Sequence, residues 1–269
     1  MDEILGYLLD DLDALKACSL THKRLFDATR PFIHQWLCLA SRVEHPKPKG
    51  PLFSGRKRGN RAFGHGAFER LIDADRLGLL HHTRYLTFRI TDGSFNPGNV
   101  QGYLPYLRTI TKLHSLTLDT FRVSPFVPTF KQCFGMFSNA LRHLEIRHVL
   151  GTGRQLLYII CQFPLLEDLS IISPSEAIIH GHPVPPITQS PTFRGKLALA
   201  DMHSRGLLEG LVALPGGLNF CSLELFRCED LQDVLAACGH TVTSLSYLLC
   251  VWGSDDSESD LIIQVHTPV

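Results

Sequence analysis

The sequence predicts an α/β protein: a short helical module, then a solenoid of irregular leucine-rich repeats with a parallel stacked sheet. Three observations carry this expectation. Apolar residues over positions 1–45 recur at helical spacing. A stretch rich in proline, glycine and basic residues covers 46–66. From residue 67 to 269, an L-x-x-L-x-L frame returns again and again.

The helical module rests on Ile4, Leu5, Leu8, Leu9, Leu12 and Leu15, whose three- and four-residue spacing places them along one stripe. Asp10 or Asp11 can cap a helix continuing through Leu15 and Cys18. Thr21 is expected to cap a third helix containing Leu25 and Phe26. Pro31 is expected near the start of a fourth, Phe32 to Leu39, where its missing N–H does least harm. Helices this short are marginal alone, so the stripe needs a partner, either the rest of this chain or another protein.

Between 46 and 66, prolines and glycines break any regular element. Lys47, Lys49, Arg56, Lys57, Arg58 and Arg61 concentrate positive charge, with no acid between Glu44 and Glu69. A solvated basic linker is the simplest reading; a localisation signal or phosphate contact is the alternative. Phe53 and Phe63 are too few for a base-stacking platform.

The repeat frame is fullest at Leu113/Leu116/Leu118, Leu141/Leu144/Ile146 and Leu166/Leu169/Ile171, with Phe220/Leu223/Leu225 a near match. Weaker copies centre on Leu86, Leu197 and Leu245. Successive central leucines are 30, 28, 25, 28, 26 and 22 residues apart, in or beside the leucine-rich-repeat window of about 20–29. Each frame predicts a short strand with alternate residues inward. Gln155–Cys161 and Leu231–Ala237 read as outer helices. One repeat cannot bury its own apolar side, so the copies must stack. Leucine in place of Val/Ile runs argues against a doubly wound sheet.

The 269 residues carry 26 basic and 26 acidic side chains, a formal net charge of zero. That balance argues against a dedicated nucleic-acid binder, although a protein using the 47–61 loop remains a distinct reading. None of the eight cysteines forms a C-x-x-C pair, which predicts buried, reduced thiols in an intracellular compartment, cytoplasmic or nuclear. Asp2 and Glu3 stand where a signal peptide carries positive charge. No apolar run approaches the roughly 20 residues of a membrane span.

Chemistry is sparse. Among 14 histidines, His81-His82 and His180-x-His182 are the close pairs in sequence, and neither has a further ligand at metal spacing. Gly151-Thr152-Gly153-Arg154 reads as a turn and lacks the phosphate-loop frame. No G-x-S-x-G elbow occurs. Asp255, Asp256, Glu258 and Asp260 read as a solvated loop, not a calcium loop. The sequence predicts no catalytic residue, no metal and no cofactor.

Two segments of the first 40 residues resemble the F-box. Glu3-Ile4-Leu5-Gly6-Tyr7-Leu8 is similar to the E-I-L-x-x-L of its first helix. Ala17-Cys18-Ser19-Leu20-Thr21-His22-Lys23-Arg24-Leu25 is similar to its A-C-S-L-V-C-[KR]-x-W segment. Phe220-x-x-Leu223-x-Leu225-x-x-Cys228-x-x-Leu231 resembles the cysteine-containing repeat that accompanies F-boxes, an organisation abundant in basidiomycete fungi. The family's opening Leu-Pro-x-Glu is absent, His22 stands where Cys is usual, and Leu25 where Trp is usual. The resemblance implies docking onto the Skp adaptor of a cullin ubiquitin ligase, with the repeats presenting an unknown protein substrate. Ile4, Leu5, Leu8, Leu20 and Leu25 would supply the apolar contact, with Lys23 and Arg24 at its rim. An orphan repeat scaffold without adaptor binding is the alternative.

Overall fold

The computed structural model describes residues 12–21, 23–40, 67–89, 102, 104–120, 123, 127–174, 184–187, 189–202, 205–228, 232–252 and 258–266. The expectations for Ile4, Leu5 and Leu8, for the 47–61 basic loop and for His180-x-His182 lie outside these residues. The chain divides into two compact units, Met1–Leu113 and His114–Val269.

The first unit opens with α1 (Leu12–Thr21) and α2 (Lys23–Ile33), which pack on each other. Leu15 and Thr29 are buried between solvated faces. Thr21 does not cap the following helix as expected. It is the last residue of α1, and its hydroxyl donates to the Cys18 carbonyl at 2.8 Å, satisfying a group the helix end leaves open. Pro31 opens no new helix either, because α2 runs through it and ends two residues later. The second half of the expected helix Phe32 to Leu39 is strand: β1 covers Trp36–Ala40. Its alternation of Leu37 and Leu39 with Trp36 and Cys38 fits a half-buried strand. Its partner is β2 (Tyr85–Arg89), paired parallel with Leu37 opposite Leu86 and Leu39 opposite Phe88. Between them lie α3 (Ala67–Arg76) and a short 3₁₀ turn, Leu80–His82.

The second unit is built on a parallel ladder. β3 (Ser115–Asp119), β4 (His143–Arg147), β5 (Asp168–Ile172), β6 (Lys196–Ala200), β7 (Ser222–Phe226) and β8 (Ser244–Trp252) pair in chain order. The register sets leucine against leucine: Leu116, Leu144, Leu169, Leu197, Leu223 and Leu245 form one row across it. The next inward row is Leu118, Ile146, Ile171, Leu199, Leu225 and Tyr247. Residues 116 to 223 of the first row are at most 1% exposed, and each such side chain stabilises the fold by roughly 1.5–3 kcal/mol.

The returns between strands carry α4 (Val127–Phe134), α5 (Gly153–Ile160), α6 (Arg205–Val212) and α7 (Gln232–Cys238). α5 and α7 fall within two residues of the sequence expectation. The Gly151–Arg154 turn is the start of α5: Thr152 accepts the Gln155 N–H and Gln155 Oε1 accepts the Thr152 N–H, a capping box. Fully buried aromatics fill the space under the sheet, Phe130 against Phe134 and Phe163, and Phe193 stacked on Phe220 at 4.4 Å.

One expectation fails at the end of the ladder. Glu258 and Asp260 lie not in a loop but in β9 (Glu258–His266), antiparallel to β8 with Glu258 opposite Trp252 and Asp260 opposite Cys250. Leu261, Ile262, Ile263 and Val265 supply the β-propensity that makes this a strand. Among the described residues, no helix is long and apolar enough to cross a membrane.

Candidate functional site

Four of the residues expected to touch an adaptor are described, and all lie at the junction of α1 and α2. Leu20 is 86% exposed, an unusual position for leucine at the end of a packed helix. Lys23 and Arg24 are also exposed, and Leu25 is half-buried, its carbonyl accepting the Thr29 hydroxyl at 2.8 Å. The junction therefore presents one exposed leucine and, three and four residues on, two exposed cationic residues. Ser19 and Thr21 hydroxyls donate back to Lys16 and Cys18, which fixes the end of α1 beneath Leu20.

Sequence reasoning missed a second feature of the same unit. Trp36 is 64% exposed and lies flat on Tyr85, with ring centroids 3.9 Å apart and planes within 11°. The pair arises because β1 and β2 are in register, Trp36 opposite Tyr85, with the inward faces taken by Leu37 and Leu86. The signal was the period-2 pattern over 36–40, hidden by the helical reading of that segment.

In the second unit, the outward residues of the ladder form an ordered polar face. Across its first positions run Ser115, His143, Asp168, Lys196 and Ser222. Across the middle run Thr117, Glu145, Ser170, Ala198 and Glu224. The charges are matched between strands or along them: Arg147 with Glu145 at 2.6 Å, Lys196 with Glu224 at 3.0 Å, and Thr117 donating to Glu145 at 3.1 Å. At the strand ends the row begins with the charged Asp119 and Arg147 and turns apolar across β5 to β7, with Ile172, Ala200 and Phe226 half-buried. Small Ser170, Ala198 and Ala200 leave the centre of the face low between bulkier side chains.

Each strand exit repeats a backbone device. Thr120, His148, Ser173, Asp201 and Arg227 follow β3 to β7 with φ between 46° and 54°. The N–H groups of Thr120, His148, Ser173 and Asp201 donate to the last carbonyl of the next strand, at Arg147, Ile172, Ala200 and Phe226. The left-handed turn reverses the chain while keeping that donor satisfied.

The chemistry-bearing side chains are quiet. Burial pushes the Cys161 thiol up to about 12 and Cys238 up to about 11, and raises Cys228 as well, so these three stay protonated and pack as apolar groups. Among the described residues there is no group of three or more His, Cys, Asp or Glu side chains placed to hold a metal ion. One close pair escaped the sequence, His114 with His143, because its members are 29 positions apart and meet only through the β3–β4 register.

No protein-family model, no curated protein and no solved structure matches the chain.

Proposed function

We propose that this chain is a non-catalytic interaction protein, the substrate-recognition subunit of a Skp–cullin–F-box ubiquitin ligase. In this reading α1 and α2 belong to an F-box-like module and the ladder of the second unit is a leucine-rich-repeat solenoid. The observation that carries the solenoid part is the register: one central leucine per strand, from Leu116 to Leu245, in chain order and with helices on the returns. Supporting the adaptor part is Leu20, exposed beside Lys23 and Arg24 within the segment that resembles the F-box. A handful of residues commonly dominates a binding energy. Ile4, Leu5 and Leu8 would extend that anchor, and the mixed face of the ladder would hold the substrate.

A specific observation favours a second reading. Trp36–Ala40 is a strand paired to β2, not a helix, so the first 45 residues also suit an orphan repeat scaffold that has no adaptor. Capture of purified Skp adaptor by the full chain separates the two. The ligase reading expects capture by the wild type and its loss in Leu20→Asp, with the melting temperature unchanged because Leu20 is already in water. Failure of the wild type to capture adaptor overturns the ligase reading and leaves the scaffold.

A further inference from the structure

Among the described residues of the second unit, one pair of imidazoles is held together by the strands themselves. His114 immediately precedes β3, His143 opens β4, and their Nε2 atoms lie 2.7 Å apart with the rings edge-on at 68°. Two constraints hold them there. The His114 carbonyl accepts the N–H groups of both Arg142 and His143, at 3.0 and 3.1 Å, so the backbones are pinned together. On the far side of His143, Nδ1 is paired with Asp168 Oδ2.

Asp168 is itself fixed. Its Oδ1 accepts the Lys196 N–H at 2.5 Å, and it fits only because residue 195 is glycine: a Cβ there would lie 1.8 Å from Oδ1. The carboxylate therefore keeps the proton of His143 on Nδ1 and directs Nε2, with its lone pair when the ring is neutral, toward His114. A carboxylate on the distal nitrogen is the usual outer partner of a metal-bound histidine, because it sets tautomer and ring direction and raises basicity.

We propose that His114 and His143 form a two-imidazole site for a divalent late transition-metal ion, Cu²⁺ binding tightest and Zn²⁺ more weakly, with Asp168 as positioning residue. At Zn–N or similar bonds of about 2.0–2.1 Å, two ligand nitrogens stand about 2.9 Å apart at a right angle and about 3.3 Å apart in a tetrahedron. The rings need to part by only a few tenths of an ångström, and His114 is exposed. The preference for copper follows the general order of affinities at nitrogen sites. Water completes the coordination. The site stands apart from adaptor binding and does not depend on it.

The test is titration of Cu²⁺ into the full chain in a non-chelating buffer, followed by electron paramagnetic resonance, with Zn²⁺ as competitor. The wild type should show one tight copper site with hyperfine structure from two imidazole nitrogens. His114→Ala, at an exposed position, should keep its circular dichroism and lose at least about tenfold in affinity, retaining a single imidazole. Asp168→Asn should weaken the site about 10–100-fold, as removal of an outer partner does. His81→Ala/His82→Ala should leave it unchanged. A wild type without a two-nitrogen copper signal, or a tight site that survives His114→Ala intact, overturns the proposal.

Discussion

Gly153, the first residue of α5, stands so close to Leu207 on α6 that a Cβ on it would lie 2.5 Å from the Leu207 backbone nitrogen. The neighbouring contact is also tight, since a Cβ on Gly210 would meet Leu157 Cδ2 at 3.0 Å. Two successive outer helices of the second unit are thus seated on each other through glycine. A methyl at 153 has no flexible atom to push aside, because its neighbour is main chain. Gly153→Ala should lower stability by about 1–3 kcal/mol, the usual cost of overpacking. Gly210→Ala, facing the movable tip of a leucine, should cost less. Urea midpoints of the two variants give the order directly.

The strand exits make a prediction of opposite sign. His148 has φ 49°, and its N–H donates to the Ile172 carbonyl at 2.9 Å. A left-handed conformation costs a residue with a Cβ roughly 1–2 kcal/mol, while glycine adopts it freely at some loss of unfolded-chain entropy. His148→Gly should therefore raise stability by about 0.5–1 kcal/mol. His148→Val, β-branched and poorly suited to positive φ, should lower it. If both variants shift the denaturation midpoint the same way, strain at this turn is not what limits stability.

What the sequence made legible follows from which forces are local. The row Leu116, Leu144, Leu169, Leu197, Leu223 was readable because each repeat states the same burial requirement in the same frame, and parallel pairing in chain order is the cheapest way to satisfy it. α5 and α7 were readable from apolar spacing. Trp36–Ala40 was not, because its five residues support either period and only pairing with Tyr85–Arg89 decides between them. Thr21 misled for a related reason: a hydroxyl near a helix boundary can serve either side, and here it bonds backward. At the candidate site, Leu20, Lys23 and Arg24 were singled out from the motif. The Trp36–Tyr85 stack and the His114–His143–Asp168 chain depend on register across strands, which residue order alone does not display.

The thiols should separate by burial. None of the described cysteines forms a disulfide: Cys133, Cys161, Cys228 and Cys238 are buried, Cys18 and Cys38 are half-buried, and Cys221 is exposed. Only the thiolate reacts with a disulfide reagent, and burial pushes Cys161 up to about 12 and Cys238 up to about 11. At pH 8, among the described thiols of the native chain, Cys221 should be the fast one, its signal lost in Cys221→Ser, with the four buried thiols appearing only on unfolding. All eight cysteines should titrate in denatured protein prepared without reductant. A smaller count would mean that a disulfide forms.

Acid should weaken the first unit through His34. Burial first, then the Arg30 guanidinium and then His82, hold its pKa below the ordinary 6.5. His82 is shifted the same way by burial, then by Arg30, Lys112 and His81. In the unfolded chain both rings return to the ordinary value, so near pH 6.5 and just below it the unfolded state binds more protons than the folded one. Stability then rises with pH across that interval. The favourable contribution is fully present above 6.5 and is lost as pH falls from there through the folded-state values. Between pH 7.5 and 5.5 the urea midpoint of the wild type should drop, and His34→Gln, which cannot take a proton, should show a shallower drop. A slope left unchanged by His34→Gln would assign the acid sensitivity to other groups, and His82→Gln is the variant that then decides whether the Arg30 cluster is involved at all.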